Sequence, residues 1–167
     1  SGAIELSLEP YRLDILLGSC LNSLREVARS RAISFSFTIT GEASPLSIDH
    51  LRIAQVFTNL LSNAIKFSPE KGKISVNYEQ DKEHVTIHIA DQGPGVNEEE
   101  IHHIFDRYYM GRKDFKIRPE GSGLGLYIVR NIVELHGGTV SARNLSPGGS
   151  CFTIQLPVSA VKQECTP

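Results

Sequence analysis

The chain has 167 residues, 40% of them hydrophobic and 22% charged, with a net charge of −2. That suffices for one compact domain with its own core and gives no global positive charge to hold nucleic acid or an anionic membrane. Cys20, Cys151 and Cys165 are an odd number without metal-ligand spacing, which fits a reducing compartment better than a disulfide framework. No run of about 18 apolar residues exists to span a bilayer, and no signal-peptide pattern is present.

Residues 1–9 read as a linker ending at Pro10, and Ser1-Gly2 as a remnant of expression, so the chain is expected to be a piece of something longer. From Leu13 to about Arg29, Leu13, Leu16, Leu17, Leu21, Leu24 and Ala28 recur at helical spacing. Ile33, Phe35, Phe37 and Ile39 then alternate with Ser34, Ser36, Thr38 and Thr40, the pattern of a half-buried strand.

A second helix is expected from near Asp49 to Phe67, with Ile53, Val56, Phe57, Leu60, Leu61 and Ala64 on its buried face. Ser68-Pro69 stops it, because the residue before proline disfavours helical angles. Residues 73–79 and 84–90 alternate as two strands joined by Asp81-Lys82-Glu83. Asn97, with Glu100 three positions on, marks a short helix through Phe105. His102-His103 lacks partners for a metal site and reads as its solvated face.

Residues 106–121 are polar without a clean period and read as a mobile loop. Leu124 to His136 is a third main helix closed by Gly137. Strands at 139–143 and 151–156 follow. Three main helices and about five strands, alternating on one side, make an α+β domain: a two-layer sandwich with helices on one face of a mixed sheet. Its expected bounds are 10–157, with a tail at 158–167.

Three constellations carry chemistry. Asn59, Asn63 and Lys66 lie four and three apart on one helical stripe, which Gln55 extends. Asparagine is a poor helix former, so two in one stripe call for a reason beyond solvation. An amide oxygen is a hard ligand suited to magnesium, which shares phosphate oxygens, and Lys66 supplies a point charge to those phosphates.

Asp91-Gln92-Gly93-Pro94-Gly95 directly follows a strand. It reads either as a tight turn or as a place where a flat ring approaches glycine backbone while Asp91 accepts from its amino group. Gly121-Ser122-Gly123-Leu124-Gly125-Leu126 opens the last helix, where free N–H groups can cradle phosphate. It is not a dinucleotide fingerprint, which wants a third glycine at Leu126 and a strand just before it. A Walker loop is absent throughout.

Together, Asn59 to Phe67, Asp91-x-Gly93-x-Gly95, Phe105-Asp106-Arg107-Tyr108-Tyr109, Gly121 to Gly125 and His136-Gly137-Gly138 resemble the N, G1, F, G2 and terminal glycine boxes of sensor histidine kinases. The resemblance covers about residues 10–157. It implies the Bergerat-type ATP-binding sandwich shared with gyrase-, HSP90- and MutL-type proteins, and a cytoplasmic domain of a membrane-anchored sensor.

By that match Asn63 holds Mg2+ with ATP, Asn59 assists, Lys66 meets phosphate and Asp91 reads adenine. Phe67, Gly93, Gly95, Val96, Phe105, Arg107, Tyr108 and Gly121 to Leu126 complete the nucleotide site, under a lid at 96–122. Asn59, Asn63, Lys66 and Arg107 are the implied catalytic set, with Arg112 and Lys113 as further cations. Hydrolytic relatives carry a water-activating glutamate where Asn59 stands, and an amide cannot take a proton. None of the six histidines has an acceptor's setting. The implied partners are therefore a phosphoacceptor helical hairpin elsewhere in the protein and a downstream response regulator. Anti-sigma-factor serine kinases, which share the fold but lack the Phe105–Tyr109 segment in this form, and a non-enzymatic nucleotide-binding scaffold are the alternatives.

Overall fold

The computed structural model describes residues 4–110 and 123–158. Gly121, Ser122, Arg112 and Lys113, most of the expected loop, the part of the expected lid from 111 to 122, and all of the tail but Val158 lie outside the described residues.

The main sheet has five strands: β2 (Ser34–Gly41), β4 (Lys73–Gln80), β5 (His84–Ala90), β6 (Thr139–Asn144) and β7 (Ser150–Pro157). Their order is β2-β4-β5-β7-β6, with β2 parallel to β4 and every other pair antiparallel. The sheet is mixed, as expected. Register aligns the apolar alternation across it. Phe37 lies beside Val76, Val76 beside Ile89, and Ile89 beside Phe152. One face thereby carries Ile74, Val76, Tyr78, Val85, Ile87, Ile89, Ile154 and Leu156, all buried.

The helices cover that face. They are α1 (Leu13–Ser23), α2 (Arg25–Ser30), α3 (His50–Phe67) and α4 (Gly125–Leu135). α3 packs on α1, α4 and β5. The buried residues of α3 are the six expected ones plus Ile65. Burying such side chains is worth roughly 1.5–3 kcal/mol each, so this one stripe anchors the helix that carries the site.

Three local readings are corrected. The expected first helix is two, because Leu24 leaves helical angles (ψ 1°) and its N–H is shared between the carbonyls of Cys20 and Leu21. Residues 97–105 do not form a helix. Their backbone bonds run Glu100 to Asn97, His103 to Glu100 and Asp106 to His103, three apart and non-overlapping, so successive turns replace a continuous ladder. Lastly, two short strands were not anticipated. β1 (Glu9–Tyr11) pairs antiparallel with β3 (Leu46–Ile48), three residues each and too short to show a period.

Candidate nucleotide-binding site

α3 begins where Asp49 caps it, the carboxylate accepting from the Arg52 N–H at 3.2 Å and from the Ser7 N–H at 3.1 Å. Burial opposes the Asp49 charge, but these N–H groups and the Arg52 guanidinium outweigh it and lower its pKa. The Asp49 N–H in turn donates to Nε2 of buried His136, whose Nδ1–H meets the Ile132 carbonyl at 2.7 Å. The histidine is therefore neutral, and burial lowers its pKa. It joins the start of α3 to the end of α4.

At its other end α3 is capped by Arg31. That guanidinium donates to the carbonyls of Ile65, Lys66 and Ser68, the last at 2.6 Å, and offsets the negative end of the helix dipole. Between these caps Asn59, Asn63 and Lys66 share one half-buried stripe, with Gln55 exposed a turn earlier. Among the described residues neither Asn59 nor Asn63 has a side-chain hydrogen-bond partner, so both amide oxygens keep their acceptor capacity. That suits a divalent ion held by amide oxygens and phosphates, and no cluster of three His, Cys, Asp or Glu among the described residues offers another metal site. The Lys66 ammonium lies 5.6 Å from the Phe67 ring centre.

The Asp91 turn abuts the end of α3. A Cβ on Gly93 would stand 2.6 Å from the Phe67 carbonyl oxygen, so only glycine fits. Asp91 is buried. Its Oδ1 accepts from the Gly93 N–H at 2.8 Å and the Ser150 N–H at 3.4 Å, and its Oδ2 from the Ser150 hydroxyl at 2.7 Å. A carboxylate has about four lone-pair sites, so one acceptor position on Oδ2 stays open to a ligand's amino group. Ser68, the residue after Phe67, is buried, with a hydroxyl that has no partner among the described residues.

Asn144 of β6 holds the far side of this turn. Its Oδ1 accepts from the Val96 N–H at 2.7 Å, and its Nδ2 donates to the Val96 carbonyl at 2.6 Å and to Glu98 at 2.7 Å. Gly95, at φ +78°, lets Asn144 approach. Arg31, Asn144 and Ser150 escaped the sequence reading. Each acts on residues 34 to 59 positions away, and no local pattern marks such a pair.

Of the remaining described residues, Arg107, Tyr108 and Gly123 to Leu126 lie at the start of α4, and Phe105 lies against β7. Phe105 is buried, edge-on to Phe152 at 6.1 Å. Arg107 lies over the rings of Tyr108 and Tyr127, at 4.9 and 5.9 Å. The Tyr108 N–H donates to the Gly123 carbonyl at 3.0 Å, and Gly123, at φ +69°, leaves no room for a Cβ beside Tyr108. No side chain caps α4 at Leu124, and the space beside Gly125 is open. Such uncapped N–H groups suit an anion. Leu126 packs on the core.

A family model described as histidine kinase-, DNA gyrase B- and HSP90-like ATPase matches residues 48–160, from the cap of α3 past the end of β7. The chain belongs to that ATPase family. Sensor histidine kinase ZraS of Escherichia coli is 35% identical over 95% of this chain, which spans 33% of ZraS. The catalytic domain of histidine kinase ThkA in a nucleotide-free form is 28% identical, with a TM-score of 0.80 over 92% of this chain and 99% of that one. ThkA in complex with response regulator protein TrrA gives 29% identity and a TM-score of 0.73, over 91% of this chain and 42% of that one. As a member of this family the chain is an ATP-binding domain with the fold of histidine kinase catalytic domains.

Proposed function

We propose that the chain binds ATP with magnesium and passes the γ-phosphoryl group to a histidine on a separate helical-hairpin domain of the same protein, from which a response regulator takes it in two-component signalling. The observation that carries this reading is the α3 stripe. Asn59, Asn63 and Lys66 sit half-buried on one face, and that helix ends against the Asp91–Gly93 turn. One end of the site meets phosphates and the other meets a base.

In this reading Asp91 accepts from the adenine amino group, and the glycines of the turn let the ring lie against backbone. Asn63, assisted by Asn59, holds magnesium, which shares the phosphate charge when bound. Lys66 and Arg107 face the charge that builds on the transferred group; the work is positioning and electrostatics. Asn59 has no proton-accepting group where a hydrolytic site needs one, so water stays a poor nucleophile and a docked imidazole takes the phosphoryl group. The domain spans 10–157 and sits on the cytoplasmic side of a membrane-anchored sensor. No helix among the described residues is long and apolar enough to cross a membrane itself.

Mixing the chain with a candidate helical hairpin and radiolabelled ATP tests the reading. Acid-labile, base-stable label on the hairpin supports it. Label on serine, or none with any hairpin, overturns it.

A further inference from the structure

Arg107 is exposed, yet the residues on both sides of it are fastened. Before it, Asp106 meets Nη1 of Arg130 at 3.6 Å and Nδ1 of His103 at 3.0 Å. After it, the Tyr108 N–H donates to the Gly123 carbonyl at 3.0 Å, and Tyr108 takes φ +62°, a region that residues with a Cβ rarely occupy. Between these ties the Arg107 guanidinium lies over two rings, Tyr108 at 4.9 Å and Tyr127 at 5.9 Å. Among the described residues no carboxylate pairs with it.

Tyr127 is the third residue of α4, half-buried, in the turn whose N–H groups no side chain caps. Helical side chains lean toward the N-terminus, so its ring covers the surface over that opening turn. Arg107, resting on the ring, stands by the positive end of the helix dipole, where a cation is ordinarily unfavourable. Attraction to the ring faces holds it there. Arg130, one turn further along, lies 6.0 Å from the same ring and is matched by Asp106.

We propose that Tyr127 is a positioning residue for phosphate engagement. Its ring sets the Arg107 guanidinium at the opening turn of α4, where the reading above puts the phosphates of ATP, and the inference rests on that reading. A long exposed arginine otherwise spreads over many rotamers, most of which are lost when it grips an anion. Rings under the guanidinium remove part of that loss in advance. At an exposed site each such contact is worth a few-fold in affinity. The ring does this and not the hydroxyl, so phenylalanine should serve as well.

Calorimetric titration of the 167-residue chain with magnesium-ATP, and separately with adenosine, tests this. Tyr127→Leu should weaken ATP about three- to tenfold and leave adenosine within about twofold. Tyr127→Phe should bind both like wild type. In an Arg107→Gln background, itself weakened for ATP, Tyr127→Leu should cost nothing further, because a positioning residue acts only through the group it positions. Matching thermal melts show that the variants fold. In the nucleotide-free chain, NMR relaxation of the Arg107 Nε–H should show greater motion in Tyr127→Leu and not in Tyr127→Phe. Equal losses for ATP and adenosine, a Tyr127→Phe as weak as Tyr127→Leu, or losses that add in the double variant overturn the positioning role and leave the phosphate site standing. An Arg107→Gln that binds ATP like wild type removes Arg107 from the phosphates, and the proposal falls with that part of the reading.

Discussion

The Ser150 hydroxyl donates to Oδ2 of Asp91 at 2.7 Å, across 59 residues of sequence. Ser150 opens β7, and the Asp91 N–H donates to its carbonyl at 2.9 Å, so the carboxylate is aimed by a neighbouring strand as well as by its own turn. In the proposed reading Asp91→Asn replaces an acceptor for the adenine amino group with a donor. An unmet polar group in such a place costs roughly 1–3 kcal/mol, about one to two decades in ATP affinity. Ser150→Ala keeps the carboxylate but loosens it, with an expected loss of about tenfold or less. Calorimetric titration of both variants checks this; wild-type affinity in Asp91→Asn would remove Asp91 from the base site.

Gly93→Ala should be poorly tolerated. The added Cβ would meet the Phe67 carbonyl oxygen at 2.6 Å, which is backbone and cannot swing aside. The turn must then separate from α3, where the proposed base and phosphate ends join. A lowered melting temperature together with lost nucleotide binding is expected, and a variant that melts and binds like wild type would contradict the packing described.

If Lys66 meets the phosphates as proposed, Lys66→Ala should weaken ATP far more than adenosine, because only ATP carries that charge. Titrating both ligands against both proteins reads this directly. An equal loss for each would place Lys66 away from the phosphates.

Stability should fall on the acid side of about pH 6.5, the ordinary value for histidine. Burial keeps His136 neutral and lowers its folded pKa, so between the folded and unfolded values the unfolded chain binds more protons and stability declines as pH falls. Asp49 and Asp14, both lowered by their hydrogen bonds, act in the same direction at still lower pH, below their ordinary 3.8. Denaturant melts from pH 7.5 to pH 5 should show the slope in wild type. It should flatten in His136→Gln, which keeps an acceptor for the Asp49 N–H and does not titrate.

Much of this architecture was legible in the sequence because its signals are periodic. The apolar stripe of α3 and the alternation in β2, β4, β5 and β7 each repeat over five residues or more, and each element lies within a few residues of where its pattern placed it. The failures share one cause. β1 and β3 are three residues long, Leu24 breaks a helix without a proline or glycine to mark it, and the capping signal at Asn97 opens turns rather than a helix. In the site, Asn59, Asn63, Lys66 and Asp91 stood out by local spacing. Arg31, Asn144 and Ser150, which hold them in place, are ordinary residues made important by partners distant in sequence.

Transfer without hydrolysis can be followed in one experiment. The chain is incubated with magnesium and radiolabelled ATP, with and without its helical hairpin, and both released phosphate and protein-bound label are followed. Tight binding is expected, with scarcely any release by the domain alone and label on the hairpin once it is supplied, since positioning donor against acceptor can be worth roughly 7–11 kcal/mol. Asn63→Ala should abolish that labelling. Brisk phosphate release by the isolated chain, undiminished in Asn63→Ala, would contradict it and return the domain to the hydrolytic side of its family.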